Sequence, residues 1–340
     1  MTEPERQSGF RRNLNLETLL SDINQRLGPV NDQLLEDRED RHSKVFVMGG
    51  LRSGTTLFMQ WLAASGLVAY PSNLLSRFYR APLMGARIQM LLTDPRYRFR
   101  DELDDIAVPV SFRSENGKTA GALSPNEFWY FWRRFLPFQE LDYVDDTALR
   151  GHAGLTAFRD EVNALANLFD QPFAMKGMII NQNILPVAEQ FRDPLFVWIK
   201  RDPLYNLQSV LEARLRQHGD VGHWYSFKIR EYPELNALPP LASAAGQVVA
   251  INQALEQQFR QLPDKQALVV PYEAFCADTQ PVFDALQQRL SRPSAHSGLP
   301  AARNPSAQFH HQNSWRLEAF TREQAEQALE NATEHYFRHH

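Results

Sequence analysis

The feature that most constrains this chain is a glycine loop at residues 45–58, VFVMGGLRSGTTLF. A short apolar run precedes the glycines, and a segment with helical periodicity, TTLFMQWLAASG, follows them. Strand, glycine loop and helix in this order are the context of a phosphate-binding P-loop, where backbone amides and the helix dipole face one anion. Gly49 and Gly54 have the P-loop spacing. The sequence therefore predicts an anion site at the start of this helix.

The loop departs from a nucleoside triphosphatase at one position. Thr55 stands where the P-loop lysine reaches the terminal phosphates. Triphosphate hydrolysis also needs an acidic residue to hold magnesium. The acidic residue in VWIKRDP lies beside Arg201, whose positive charge disfavours a metal site, so triphosphate hydrolysis is disfavoured. A donor with a single 5′-phosphate and a transferable group of low charge needs a metal less. Arg52, Thr55 and Thr56 can neutralise such a donor, which suits 3′-phosphoadenosine 5′-phosphosulfate (PAPS).

The rest of the chain alternates apolar runs with helical patterns, which predicts an α/β fold with a central, mainly parallel sheet flanked by helices. Further strands are predicted in residues 172–179, 194–200 and 266–275. Helices are predicted at 13–27, 124–135, 152–170, 183–191, 203–217, 240–262, 279–290 and 321–337. We expect a tail and helix at 1–43, one domain at 44–320 with an acceptor-pocket insertion at about 67–170, and a C-terminal helix at 321–340.

Charge and cysteine content narrow the function classes. The net charge of −4 gives no general attraction to nucleic acid, and the single cysteine, Cys276, permits no intrachain disulfide. The sequence has neither a signal-peptide pattern nor an apolar run of membrane-spanning length. We therefore expect a cytoplasmic protein without a membrane span or a nucleic-acid partner. His335 and His339 have helical metal-pair spacing but no third ligand motif, so no metal site is predicted. Oligomeric state is left open.

Two motifs resemble the donor-binding motifs of PAPS-dependent sulfotransferases: GGLRSGTT and IKRDPLYNLQS. The resemblance implies a P-loop-like sulfotransferase fold. It also implies that the 3′-phosphate is held by Arg201 and by Ser209, eight positions later and about 12 Å along a helix. The residues that it assigns to the 5′-phosphosulfate are Arg52, Ser53, Gly54, Thr55 and Thr56.

Three further segments extend this resemblance. FAMKGM is similar to the family strand whose lysine steadies the leaving 5′-phosphate, which implies that role for Lys176. LVVPYEAF resembles the turn whose tyrosine flanks the adenine, here Tyr272. QNSWR, at residues 312–316, is the candidate for a C-terminal segment that closes over the 3′-phosphate, with Arg316 as its basic group.

Glu127, the candidate general base, has two interpretations in the sequence. Met178 stands where cytosolic sulfotransferases have a histidine, whereas tyrosylprotein and several carbohydrate sulfotransferases use a glutamate. Glu127 is the best-placed glutamate, but Ser124-Pro125-Asn126-Glu127 also has the pattern of a helix capping box, in which Glu127 bonds back to Ser124. Both interpretations stay open. The other candidate bases are His152, His218 and His223 and, more weakly, Asp101 and Glu102.

The sequence thus predicts metal-independent, in-line transfer of the sulfuryl group of PAPS to a hydroxyl or amine, leaving adenosine 3′,5′-bisphosphate (PAP). The acceptor is expected to be a small molecule or a carbohydrate. Two alternatives stay open: a P-loop nucleotide kinase or triphosphatase with a degenerate loop, and a non-catalytic PAPS-binding module.

Overall fold

A computed structural model describes residues 6–97, 103–106, 108, 110–115, 118–291, 301–311 and 313–339. The strands are β1 Lys44–Gly49, β2 Ser114–Glu115, β3 Lys118–Thr119, β4 Phe173–Lys176, β5 Leu195–Lys200 and β6 Ala267–Pro271. The α-helices are α1 Leu14–Leu34, α2 Thr55–Ser65, α3 Pro82–Thr93, α4 Trp129–Trp132, α5 Asp146–Arg150, α6 Ala153–Phe169, α7 Ile184–Ala188, α8 Pro203–His218, α9 Tyr232–Leu235, α10 Pro240–Phe259, α11 Tyr272–Ala277, α12 Gln280–Arg289 and α13 Arg322–His339. Short 3₁₀ helices lie at Ser8–Phe10, Leu75–Phe78, Pro95–Tyr97, Asp104–Ile106, Met178–Ile180 and Asp264–Gln266.

Four strands form one parallel sheet in the order β4–β1–β5–β6, and β2 and β3 form a separate antiparallel pair. In the central strand, Val47 pairs with Lys176 on one side and Gly49 pairs with Ile199 on the other. All residues of β1 and β4 are buried, as expected for parallel strands that helices cover on both faces. The predicted α/β fold with a mainly parallel sheet is confirmed.

Alternate residues of β1 enter two different hydrophobic cores. Phe46 and Met48 pack into the larger core, whereas Val45 and Val47 pack into the core that contains the apolar face of α2. Full burial of such side chains contributes about 1.5–3 kcal/mol each. In β4, Ala174 belongs to the α2 side of the sheet. Because side chains alternate along a strand, Lys176 is directed to that same side.

Two helices differ most from their predicted bounds. The first was expected to stop at residue 27, but α1 continues through Gly28 and Pro29 to Leu34. Tertiary contacts explain the extension, because the buried side chain of Asn31 accepts the amide of Leu83 at 2.9 Å.

The helix predicted at 124–135 shrinks to Trp129–Trp132, and Phe128 before it has a left-handed φ of 57°. The capping-box interpretation of Ser124 and Glu127 is therefore wrong: Ser124 N donates to Gly121 O, and Glu127 precedes the helix. The predicted division of the chain at residues 43, 67, 170 and 320 stays a prediction. Along the described ranges, no helix combines the length and apolarity needed to cross a membrane.

Candidate active site

Residues that follow the four parallel strands meet at one edge of the sheet. The glycine loop follows β1, Lys176 ends β4, Arg201 follows β5 and Tyr272 follows β6. Since the carboxyl ends of parallel strands lie together, ligands of open α/β sheets bind in the crevice outside them. The order β4–β1–β5–β6 places the glycine loop between Lys176 and Arg201. The fold thus brings together residues that are far apart in sequence.

Carbonyl groups in the first half of the glycine loop are engaged by hydrogen-bond donors of the protein. Four consecutive carbonyls, residues 49–52, each accept one hydrogen bond. The hydrogen-bond donors are Asn181 Nδ2 for Gly49 (2.8 Å), Ser53 N for Gly50 (3.3 Å), Asn206 Nδ2 for Leu51, and Arg201 Nη1 for Arg52 (2.9 Å). This arrangement holds the carbonyl oxygens in place, and the N–H group that follows each carbonyl points away from its hydrogen-bond donor.

The loop amides are the complementary feature. In the described part of the chain, the N–H groups of Leu51, Arg52 and Gly54 have no hydrogen-bond acceptor. The first amides of α2 also lack intrahelical partners, as at any helix start. Arg52 and Gly54 have φ values of 64° and 95°, the left-handed geometry from which anion-binding amide nests are built. The loop therefore has the geometry of an anion site.

Buried polar side-chain atoms point to the same function. Arg52 Nε, Ser53 Oγ and Arg201 Nε are buried and have no partner among the described residues. Buried polar atoms without partners also occur elsewhere among the described residues, but these three surround a single loop and can all donate, which favours a ligand rich in acceptors. A phosphate or sulfate group supplies such oxygens.

Arg201 connects the glycine loop to α8 and to the C-terminal segment. Its guanidinium donates to Ser209 Oγ at 3.3 Å, to Arg52 O at 2.9 Å and to Asn313 Oδ1 at 3.2 Å. Burial lowers the pKa of Arg201, which nevertheless stays cationic at neutral pH. The predicted pair of Arg201 and Ser209 is in direct contact.

The predicted C-terminal residue lies close by but has a different partner. The Arg316 guanidinium pairs with Glu212 at 2.6 Å, and its backbone amide donates to Gln208 on α8. Contact from this segment to Arg201 comes from Asn313. Residues 313–316 therefore lie on α8 beside Ser209, and the role of Arg316 toward a phosphate stays a prediction.

Tyr272 lies between the glycine loop and Arg201. A Cβ atom at Gly54 would overlap the Tyr272 ring, so only glycine permits this approach. The Arg201 guanidinium lies 5.2 Å from the ring centroid, a cation–π contact. Burial raises the pKa of Tyr272 to about 12, so the phenol stays protonated. Its predicted contact with an adenine stays a prediction.

Lys176 and Glu127 form an ion pair at the other side of the loop. Lys176 Nζ donates to Glu127 Oε1 and to Thr56 Oγ1, both at 2.8 Å, and Trp129 Nε1 donates to Glu127 Oε2. The side chains of Lys176 and Glu127 are 6% and 30% exposed. Burial alone would raise the pKa of Glu127, but Lys176, Trp129 and Arg52 together hold it below its ordinary value. Glu127 is therefore a carboxylate at neutral pH.

The neighbouring threonine has a different environment from Thr56. Thr55 Oγ1 donates to the sulfur of Met178 at 3.3 Å and is buried. Met178 also lines a narrow cleft beside the Lys176–Glu127 pair. The cleft is lined by Glu127, Trp129, Trp132, Lys176, Met178 and Ile179. Apart from the ion pair, its walls are aromatic or aliphatic.

One further side chain at this site was not indicated by any sequence motif. Tyr225 lies close enough to Arg52 and Glu127 to interact electrostatically with both. Burial raises the pKa of Tyr225, so it is a neutral phenol. Tyr225 lies in irregular chain between α8 and α9, where no motif marks it. The buried Gln247 of α10, which donates to Tyr225 O at 3.0 Å, holds its backbone.

The other candidate bases have other surroundings. His152 caps α6 by accepting the amide of Gly154 at 3.1 Å. His218 and His223 stack on each other at 5.3 Å near the C-terminal end of α8, about 22 Å along that helix from its start beside Arg201. Asp101 and Glu102 lie outside the described residues. Of these candidates, only Glu127 has a described contact with Lys176.

One cavity of the described structure lies away from this cluster. It has a volume of about 590 Å³ and lies at the C-terminal end of α2, between Ala63, Tyr70, Leu123 and Asn304. None of the candidate site residues lines it. Charge, unpaired hydrogen-bonding groups and the position at the strand ends identify the site here, and cavity size does not.

Comparisons with known proteins bear on the fold and the family. The model of a family described as "Sulfotransferase family" matches residues 44–296. The sulfotransferase STF9 from Mycobacterium avium has a similar structure, with 17% identity, a TM-score of 0.58, and coverage of 99% of this chain and 87% of that chain. The sulfotransferase STF1 from Mycobacterium tuberculosis H37Rv also has a similar structure, with 14% identity, a TM-score of 0.55, and coverage of 91% of this chain and 81% of that chain. At such identities these two structures bear on the fold alone. A search of curated proteins gave no match.

Proposed function

The chain belongs to the sulfotransferase family, as the sequence motifs indicated, and we propose that it transfers the sulfuryl group of PAPS to an acceptor. The acceptor is a hydroxyl or amine of a small molecule or carbohydrate, and the product of the donor is PAP. One observation carries the proposal. The glycine loop has its carbonyls 49–52 engaged, and the N–H groups of Leu51, Arg52 and Gly54 have no acceptor among the described residues; the loop lies between the buried Lys176 and the partly buried Arg201.

At one end of the donor, we assign the 5′-phosphosulfate to the loop amides, Arg52, Ser53 and Thr56. The unpaired Arg52 Nε and Ser53 Oγ supply hydrogen-bond donors, and the amides at the start of α2 add partial positive charge. Lys176 already contacts Thr56 and lies where charge builds on the leaving phosphate oxygen. Charge stabilisation of this kind is usually the largest single contribution to catalysis.

At the other end, we assign the ribose 3′-phosphate to Arg201 and Ser209. Arg201 Nε is buried and unpaired, and its Nη1 already orients Ser209 Oγ. A guanidinium presents its N–H groups in a fixed fork that matches phosphate oxygens. Tyr272, packed between Gly54 and Arg201, is positioned to flank the nucleoside that joins the two phosphates.

We assign the general base to Glu127. A base must be deprotonated and within reach of the acceptor proton, and the lowered pKa of Glu127 meets the first condition. The aromatic and aliphatic cleft beside it has no room for a water molecule in this conformation, so its walls must move apart before an acceptor can reach the carboxylate. Transfer then depends on holding acceptor, sulfuryl group and leaving phosphate in line, which makes positioning a second contribution.

Two observations disfavour the kinase alternative. Asp202, the acidic residue after β5, caps α8 by accepting the amide of Leu204 at 2.9 Å. Thr55, in the place of the P-loop lysine, is buried against Met178.

Calorimetry with PAP and with ATP, each with and without magnesium, tests the proposal. We expect PAP to bind about tenfold or more tightly than ATP, and magnesium to leave its affinity unchanged. Transfer of labelled sulfate from PAPS to a panel of phenols, alcohols, amines and sugars then tests turnover. Magnesium-dependent ATP binding tighter than that of PAP would favour the kinase, whereas PAP binding without transfer to any acceptor would favour the non-catalytic module.

A further inference from the structure

Two buried asparagines contact the glycine loop from opposite flanks. Asn181 follows the short helix after β4, and Asn206 lies in the first turns of α8 after β5. Because β4 and β5 are the two neighbours of β1, the two side chains reach the loop from either side of the central strand. Each is 1% exposed. Neither residue belongs to the loop or to the groups assigned above to the donor.

Each asparagine engages one carbonyl of the loop. Asn181 Nδ2 donates to Gly49 O at 2.8 Å, and Asn206 Nδ2 donates to Leu51 O. In a trans peptide the carbonyl and the following N–H point in opposite directions. Fixing Leu51 O therefore aims the N–H of Arg52, which has no acceptor among the described residues, away from Asn206. Fixing Gly49 O does the same for the N–H of Gly50.

Both asparagines are themselves held in place. Gln258 of α10 donates to Asn181 O at 2.6 Å and accepts the amide of Ile184 at 2.5 Å, which fixes the chain on both sides of Asn183. On the other flank, a Cβ atom at Gly50 would lie 2.9 Å from Asn206 Oδ1, so the absence of a side chain lets Asn206 approach the loop. These supports reduce the freedom of the loop before a ligand arrives.

We propose that Asn181 and Asn206 are positioning residues that aim the amides of the glycine loop at the 5′-phosphosulfate. The inference rests on the proposed function, because it concerns the shape of the same donor site. It predicts that removing either side-chain amide weakens donor binding although neither asparagine contacts the donor, since a loop N–H that is no longer aimed at the anion donates to it less well.

The test compares Asn181→Ala and Asn206→Ala with a matched control, Asn183→Ala. Asn183 is equally buried and also donates two hydrogen bonds, to Val144 O at 2.8 Å and to Asp146 Oδ1 at 2.7 Å, but these do not reach the glycine loop. All three variants lose a buried amide and should lose similar thermal stability. Calorimetry measures PAP affinity, and steady-state kinetics separate the KM for PAPS from the KM for an acceptor.

We expect PAP to bind about 10- to 100-fold more weakly to the Asn181 and Asn206 variants, the range for one hydrogen bond to a charged group. The KM for PAPS should rise in step, the KM for the acceptor should not, and Asn183→Ala should bind PAP as the parent does. Asn181→Leu and Asn206→Leu, which keep the approximate shape but lose the N–H groups without adding a charge, give a second measurement if the alanine variants do not fold.

Two outcomes are distinguishable. Asn181 and Asn206 variants that bind PAP within about twofold of Asn183→Ala would overturn the positioning role and leave the proposed function standing. A parent protein that does not bind PAP at all would overturn the proposed function, and this inference with it, before any variant is compared.

Discussion

Replacing Arg201 with methionine is expected to remove most of the affinity that the ribose 3′-phosphate contributes. The substitution keeps an apolar stem against Tyr272 but removes the charge, the unpaired Nε and the contact with Ser209 Oγ at 3.3 Å. Arg201 also donates to Arg52 O at 2.9 Å, so the glycine loop loses one of its supports. The variant therefore has a large effect at one phosphate and a small effect at the other.

The size of each effect follows from the contacts. A hydrogen bond to a charged group is worth about 1.5–3 kcal/mol, so two from one guanidinium are worth about 3–6 kcal/mol, or roughly 10²- to 10⁴-fold in PAP affinity. AMP has no 3′-phosphate and loses only the support of Arg52 O, about 0.5–1.5 kcal/mol or roughly 2- to 12-fold. The ratio of PAP to AMP affinity should thus fall by about tenfold at the least.

Calorimetry of both nucleotides at about 0.15 M salt, where exposed charges are screened beyond about 8 Å, measures that ratio. Ser209→Ala provides the graded comparison, with an expected loss of about 0.5–1.5 kcal/mol for PAP and none for AMP. If Arg201→Met weakens PAP and AMP by the same factor, Arg201 does not recognise the 3′-phosphate, and the assignment of the two phosphate ends is refuted.

Substitutions at three further residues test other assignments. Glu127→Gln should lower kcat by about 10²- to 10⁴-fold in labelled-sulfate transfer while PAP still binds. Since the pKa of Glu127 lies below 4.5, the ion pair with Lys176 stabilises the fold above pH 4.5 and is lost as the pH falls below it, so denaturant unfolding of Glu127→Gln should depend less on acid. Tyr272→Ala should weaken PAP and AMP alike by about tenfold, whereas Tyr272→Phe, which keeps the ring, should bind both as the parent does. Arg316→Ala removes an exposed pair with Glu212 and should change the free energy of unfolding by less than about 1 kcal/mol, so a lower PAP-to-AMP ratio in calorimetry would be its signature as a 3′-phosphate ligand.

The sheet was predictable from sequence because its strands are buried on both faces. Apolar runs such as VFVMG and LFVWIK are typical of parallel strands that are covered on both faces. A glycine or proline after each run marks the end of the strand. Their order across the sheet was not predictable, because contacts between β4, β1 and β5 join segments far apart in the chain. Local patterns carry no record of such pairing.

The segment 124–135 shows how tertiary contacts override a strong local signal. Its capping residues favour a helix from Ser124, but Phe128 takes a left-handed φ and stacks on Phe131 at 4.4 Å in the core. Glu127 then forms an ion pair with Lys176, which lies at the end of strand β4. The burial of aromatic rings and an ion pair in the interior outweigh about 1 kcal/mol of capping.

Site residues were predictable where a strand end fixes them and not elsewhere. Arg52, Lys176 and Arg201 each follow an apolar run, so a motif and a position indicated them together. Asn206 lies inside a predicted motif, yet an asparagine in a helix is an ordinary surface residue until its partner carbonyl is known. Tyr225 lies in irregular chain, where neither periodicity nor spacing marks a functional residue.

The lysine missing from the glycine loop has a spatial substitute. Lys176 reaches Thr56, the neighbour of the position where a P-loop carries its lysine, but it comes from β4 and is already paired with Glu127. Glu127 therefore balances the positive charge of Lys176 before a donor binds, so the buried site does not hold an isolated charge. An incoming phosphosulfate must compete with the carboxylate for Lys176. We expect donor binding therefore to weaken the interaction that lowers the pKa of Glu127, so that the carboxylate becomes a stronger base once the sulfuryl group is in place.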